Sequence, residues 1–171
     1  RNLDTISSAE LVSAHSGLWA DVTRMAYASY MAELVDKMTG ERERNDQLYS
    51  LVTAAFDTLD HGELAPRVAA LTFEIKFMAA AGFLPELGQC VLCGAPAEQG
   101  AGFGPEAGGL VCGRCRPTLS DAVSFGPAAR ETARLLLALA YDRVGVMKPR
   151  QDTLDELEKA FRAYVDQRVE R

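Results

Sequence analysis

Apolar residues recur every three to four positions through most of this chain, and Gly and Pro stops separate the stretches that carry them. Four cysteines gather in two Cys-x-x-Cys pairs. Together these features predict a mainly α fold, a helical bundle with an inserted four-cysteine zinc knuckle of ribbon or treble-clef type. The 171 residues, 48% of them hydrophobic, suffice for one sizeable core and a small satellite.

The helices are read in chain order. Ser7-x-x-Glu10 has the form of a capping box and predicts a short helix toward Ala14. A long helix follows, with Leu18, Trp19, Val22, Met25, Ala26, Tyr30, Leu34, Val35 and Met38 on its apolar stripe and Gly40 as its stop. A third starts near Asn45, carries Leu48, Leu51, Val52, Ala55, Phe56 and Leu59, and stops at His61-Gly62. Pro66 suits the first turn of a fourth helix, through Val68, Leu71, Phe73, Ile75, Phe77 and Met78 to Gly82. Ser124 or Gly126-Pro127 opens a fifth, running through Leu135, Leu136, Leu137 and Leu139 to Tyr141. After a turn with Gly145 and Pro149, Thr153-x-x-Glu156 is a second capping box for a final helix with Leu154, Leu157, Ala160, Phe161, Tyr164 and Val165. This pattern divides the chain into a helical domain of residues 7–87 and 119–171 and a zinc-binding knuckle of residues 88–118.

The knuckle is read from Cys90-Val-Leu-Cys93 and Cys112-Gly-Arg-Cys115, with eighteen residues between the pairs and no cysteine left over. Zn²⁺ takes a closed tetrahedron of thiolates, and each short turn supplies two sulfurs from adjacent backbone. We therefore expect one structural zinc per chain on Cys90, Cys93, Cys112 and Cys115. Gly94 and Gly113 fall where such turns favour positive φ or close approach to a sulfur. The glycine- and proline-rich loop between the pairs suggests short strands around Phe103 and Leu110-Val111. Two disulfides would require an oxidising compartment, and these 171 residues include no signal peptide or long apolar run; a redox Cys-x-x-Cys would require a βαβ context. Four thiolates leave a catalytic metal neither an open position nor a nearby base.

Charge narrows the function. The 18 Lys and Arg against 24 Asp and Glu give −6, which argues against strong nucleic-acid binding by this chain alone. Basic potential is confined to Arg130, Arg134, Arg143, Lys148 and Arg150 in the C-terminal third, and to Arg114 and Arg116 at the second knuckle. The run Glu41-Arg42-Glu43-Arg44 is read as a solvated connection. No phosphate loop, nucleophile elbow or His-Glu-x-x-His is present, and His15 and His61 sit at helix ends as caps or turn residues, so no enzyme activity is expected. Glu74, flanked by Phe73 and Ile75, is read either as buried and paired with a basic group or as lying at a partly exposed edge of its helix. No apolar run is long enough for a membrane span, and a cytoplasmic protein is expected. The chain opens at Arg1 rather than Met, which reads as a piece of a longer polypeptide.

The order of motifs carries a resemblance. Tyr30-Met31-Ala32-Glu33-Leu34-Val35-Asp36 and Asn45-Asp46-Gln47-Leu48-Tyr49-Ser50-Leu51 are followed by Leu71-Thr72-Phe73-Glu74-Ile75-Lys76-Phe77-Met78, then by Ala81-Gly82-Phe83-Leu84-Pro85-Glu86-Leu87 and the two cysteine pairs. Nearly the whole chain resembles the bacterial RecO family of DNA repair proteins, which are recombination mediators. The resemblance implies an N-terminal OB-fold, here absent, with residues 1–6 resembling the tail of its last strand. It implies help in loading recombinase on single-stranded DNA coated by single-stranded DNA-binding protein, annealing of complementary strands, and a nucleoid-associated place in the cytoplasm. The implied partners are a RecR-like ring, the coat protein's acidic, apolar-ended tail, and single- and double-stranded DNA bound mainly through the missing OB-fold. An apolar groove rimmed by Arg or Lys would suit the tail, with Pro66–Ala81 as one wall. The competing reading is a zinc-stabilised helical interaction or regulatory domain of another complex with no DNA role; an OB-fold upstream decides between them.

Overall fold

Ten of the fifteen residues of the helix Pro66–Ala80 are buried, including the polar Thr72 and Glu74, as expected where a helix is apolar on several sides. This helix is α4 of a computed structural model that describes residues 5–40, 44–96 and 101–169. Around it are α1 (Ser16–Trp19), α2 (Val22–Met38), α3 (Asp46–His61), α5 (Pro127–Ala138) and α6 (Gln151–Val169). Helices α2, α3, α5 and α6 all pack directly on α4. Residues 1–4, Glu41 to Glu43 of the charged run, and 97–100 of the loop between the cysteine pairs lie outside the described residues.

Local chemistry sets most helix ends. The Asn45 side chain accepts the N–H of Leu48 at 2.9 Å and caps α3, which closes at Gly62 in the left-handed region with φ of 71°. Pro66 occupies the first turn of α4 as expected. Beyond α4, Gly82 has φ of 82° and the N–H of Phe83 reaches back to the carbonyl of Met78 at 2.7 Å, satisfying an orphan acceptor of the last turn.

Several expectations fail for identifiable reasons. Residues 5–14 are exposed and non-helical, so Ser7 and Glu10 form no cap: Ile6, Leu11 and Val12 stay exposed, and without their burial a box cannot offset the cost of helix nucleation. The long helix expected next, through Leu18 to Met38, is instead divided at Ala20-Asp21, where the Asp21 carboxylate accepts from the N–H groups of Thr23 and Arg24 at 2.8 and 3.2 Å and starts α2 anew. Helix α5 ends at Ala138, before Tyr141, and residues Tyr141–Val146 form a 3₁₀ turn. The end of α5 is fixed by Lys76 of α4, whose Nζ donates to the carbonyls of Leu137 and Leu139 at 2.8 and 2.6 Å. Thr153 lies inside α6 rather than at its start, and Glu156 turns away to accept from Ser124 Oγ at 3.0 Å and Gly126 N–H at 2.9 Å.

The cysteine segment contributes β1 (Gly102–Gly104) and β2 (Gly109–Val111), antiparallel with Phe103 opposite Leu110, where the sequence places strands. A third strand, β3 (Val123–Ser124), adds to the other edge of β1 and was not legible at two residues' length. Phe103 is fully buried against Phe125, Phe161 and Tyr164, with ring centroids 5.3, 6.0 and 5.6 Å away, so the small sheet and α6 share one aromatic core. Gly109 permits this docking, because a Cβ there would lie 2.5 Å from the backbone oxygen of Glu86.

Phe161→Ala is therefore expected to lower stability by roughly 3–5 kcal/mol in urea unfolding. Combined with Phe103→Ala it should cost clearly less than the two single losses added, since both remove the same contact. Additive losses would mean that sheet and helix are energetically separate.

Candidate metal centre

The two cysteine pairs form because each turn closes on its own backbone. The N–H of Gly94 bonds the carbonyl of Cys90 at 2.9 Å, and the N–H groups of Cys115 and Arg116 bond the carbonyl of Cys112 at 3.0 and 2.9 Å. Gly94 adopts φ of 70°, as its place in the knuckle requires, whereas Gly113 does not enter the left-handed region. The N–H of Val91 bonds the carbonyl of Leu110 at 2.8 Å, which ties the first pair to β2, the strand that leads into the second.

These constraints bring all four sulfurs within 4.8 Å of one another, and none is in a disulfide. Cys93 and Cys112 Sγ are 3.8 Å apart. Metal–sulfur bonds of about 2.3 Å in a tetrahedron give edges of about 3.8 Å, whereas a disulfide needs about 2.05 Å. The group is able to hold a metal ion. Cys90 and Cys112 are buried, Cys115 is half-buried and Cys93 is exposed, so the site sits at the surface end of the knuckle. Burial opposes ionisation of Cys90, yet the backbone N–H groups of Cys112, Leu92 and Cys93 outweigh it and bring the thiol down to about 6. Hydrogen bonding from the Cys112, Cys93 and Cys90 side chains, with burial, pushes Cys115 up to about 12, because so dense a cluster keeps a shared proton when no cation balances it. The Arg114 guanidinium lies against the sulfurs of Cys93 and Cys112, which favour its charged form.

The other singled-out residues do not converge. Arg134, Arg143 and Arg150 lie 3.9, 4.0 and 2.6 Å from Glu131, Asp142 and Asp152, so their charge is offset locally. Lys148 is exposed, and Arg116 packs beside Gly102. His15 precedes α1 in the left-handed region, edge-on to Phe56, and His61 ends α3. Among the described residues neither joins the cysteines.

Glu74 is buried, but its partner is not basic: Tyr30 of α2 donates to its Oε1, and Oε2 has no hydrogen-bond partner. Arg67, the basic residue on the same helix, is engaged by Glu158 and Asp155 at 2.6 Å each. Burial raises the Glu74 carboxyl to about 7, against the bond from Tyr30 and the field of Arg162. The α4 face proposed as a groove wall is largely core. The apolar opening lies elsewhere: a cavity of about 420 Å³ bounded by Leu11, Leu18, Trp19, Met25, Ala28 and Phe56, between α1, α2 and α3. Sequence reading missed it because Trp19 and Met25 look like core on a helical stripe, although Trp19 is 76% exposed.

Comparison with known proteins places this architecture. The family model for the C-terminal part of recombination protein O matches residues 20–171. The chain is 34% identical to the DNA repair protein RecO of Symbiobacterium thermophilum, over all of this chain and 69% of that protein. It is 29% identical to RecO of Listeria monocytogenes serovar 1/2a, over 96% of this chain and 64% of that one. Against RecO of Thermoanaerobacter sp. strain X514 it is 26% identical, over 99% and 68%. The chain thus spans about two thirds of the length of these relatives.

Two outcomes are expected. Protein purified without added metal should contain about one equivalent by elemental analysis, and Cys93→Ala with Cys115→Ala should abolish it and lower the melting temperature. Full metal content with unchanged stability in that variant would exclude the four-thiolate site. For Glu74, a carboxyl raised from 4.5 to about 7 contributes stability that is complete below the lower value and lost as pH rises through the upper one. Glu74→Gln should therefore gain on the parent between pH 5 and 8, by on the order of 2 kcal/mol, and a pH-independent difference would contradict this.

Proposed function

Since this chain belongs to the recombination protein O family of DNA repair proteins, we propose that it is the helical and metal-stabilised part of a recombination mediator. Such a protein assists recombinase loading on single-stranded DNA coated by single-stranded DNA-binding protein, and anneals complementary strands. The family match across residues 20–171 carries this reading. We propose zinc as the metal, on Cys90, Cys93, Cys112 and Cys115, because a closed set of four thiolates suits a structural Zn²⁺. The proposed division is a helical domain of residues 7–87 and 119–171, a knuckle of 88–118, and an OB-fold upstream in the full-length protein.

In this reading the present part serves protein contacts more than DNA contacts. The net charge of −6 and the local pairing of Arg134, Arg143 and Arg150 support that division of labour. The partners are a RecR-like ring and the tail of the coat protein, whose apolar end suits the opening beside Trp19, Met25 and Phe56. The place of action is the cytoplasm, at the nucleoid. No helix among the described residues is long and apolar enough to cross a membrane.

Fluorescence anisotropy should find weak binding of single-stranded DNA by this chain and tighter, strongly salt-dependent binding by the full-length protein. Equal affinity and equal salt slope would move the DNA site onto the helical part. In calorimetry, a peptide of the coat-protein tail should bind this chain, lose its heat when the terminal apolar residue is removed, and weaken with Met25→Glu. Binding of neither tail nor ring by this chain, when both bind the full-length protein, would place the partner surfaces upstream.

A further inference from the structure

A second cleft, of about 270 Å³, opens between α2, α4 and α6, bounded by Tyr27, Tyr30, Leu71, Glu74, Glu158 and Arg162. Its α4 wall carries two polar side chains, Arg67 and Glu74, of which Glu74 is 3% exposed. One carboxyl oxygen takes the Tyr30 hydroxyl, and the other is buried with no partner. Leaving such an acceptor unfilled costs free energy that a solvated carboxylate would not incur, and unfilled groups of this kind are uncommon in folded proteins.

The cations nearby do not fill it. The Arg67 guanidinium is spent on Glu158 and Asp155, with Nε and Nη2 at 2.9 and 2.6 Å from Glu158 Oε2 and Nη2 at 2.6 Å from Asp155 Oδ1. Arg162 is exposed on α6 and acts on Glu74 only through its field. The charged and titratable groups around Glu74 in the cleft are thus Tyr27 and Tyr30 from α2, Arg67 from its own helix, and Glu158, Arg162 and Asp166 from α6. Carboxylates outnumber guanidiniums there once Asp155 is included. An acidic ligand would meet repulsion, and a donor-rich cation would meet an empty acceptor flanked by two tyrosine side chains.

We propose that this cleft is a binding site for an organic cation, an ammonium or guanidinium group that donates to the free oxygen of Glu74 beside Tyr27 and Tyr30. The group comes either from a free small amine or from a Lys or Arg side chain of another polypeptide. Binding draws the carboxyl into its charged form, so it is coupled to proton release near neutral pH, where burial otherwise keeps Glu74 half-protonated.

The test uses three probes on the metal-loaded chain followed by NMR: ethylguanidinium, a blocked Gly-Arg-Gly peptide, and neutral ethylurea. Both cations should shift the ring signals of Tyr27 and Tyr30 and lower the titration midpoint of the Glu74 carboxyl carbon by at least about one pH unit. Glu74→Gln should weaken binding about tenfold, and Tyr27→Leu a few-fold. Peptide affinity more than about tenfold above ethylguanidinium identifies a partner's side chain as the source, and similar affinities identify a free amine. The proposal is overturned if neither cation moves these signals or if ethylurea binds as well. Should Glu74→Gln fail to fold, the carboxyl midpoint in the parent and the Tyr27→Leu affinity decide.

Discussion

Burial of α4 on several sides is the constraint from which the rest of the structure follows. A helix surrounded by four others must satisfy every polar group it carries without water. Thr72 does so by returning its hydroxyl to the Val68 carbonyl at 2.7 Å. Lys76 reaches the carbonyls at the end of α5, and the backbone oxygen of Ala69 takes the Tyr141 hydroxyl, so α4 fixes both the end of α5 and the 3₁₀ turn after it. Arg67 spans to Asp155 and Glu158 and sets α6 against the same helix. Of the polar side chains on α4, Glu74 is left with an unmatched atom, and it lies where the helix lines a cleft.

The knuckle is tied to this axis by packing rather than suspended from it by a linker. Phe103 inserts among Phe125, Phe161 and Tyr164, while the Tyr164 hydroxyl donates to the Phe83 carbonyl at 2.9 Å and Arg168 to that of Pro105 at 2.9 Å. The cysteine end of the module has its own small apolar cluster of Cys90, Val111 and Cys112. So little apolar area contributes only modestly, and free energy of metal binding is the natural source of order there. The two regions thus draw on different physics, hydrophobic burial in the bundle and, once the four thiolates hold a metal, coordination in the knuckle, joined at the aromatic cluster.

Two openings among the described residues differ in chemistry in a way that separates their uses. That between α1, α2 and α3 is apolar, with Trp19 standing exposed at its edge; such patches serve protein contacts. That between α2, α4 and α6 is lined by ionisable and phenolic groups around a buried carboxyl, where selectivity comes from charge and hydrogen bonding rather than area. Helix α2 contributes to both, with Met25 and Ala28 on one side and Tyr27 and Tyr30 on the other.

The sequence by itself determined the helical class, α3 and α4 nearly to their ends, the strands at Phe103 and Leu110-Val111, and the four cysteines as one group. These are legible because each depends on a short-range rule: a three-to-four period, an Asn45 or Pro66 start, a Gly62 or Gly82 stop, and a Cys-x-x-Cys turn that closes on its own backbone. Only the tertiary structure decided that Ser7-x-x-Glu10 is no cap and that Thr153-x-x-Glu156 serves a different purpose, since a cap needs a buried face behind it and Glu156 had a better partner 30 residues away at Gly126. It likewise decided that Glu74 meets Tyr30, 44 residues distant, rather than a cation. Side-chain pairing across helices is set by how the helices cross, and crossing is a property of the packed core that no local pattern records.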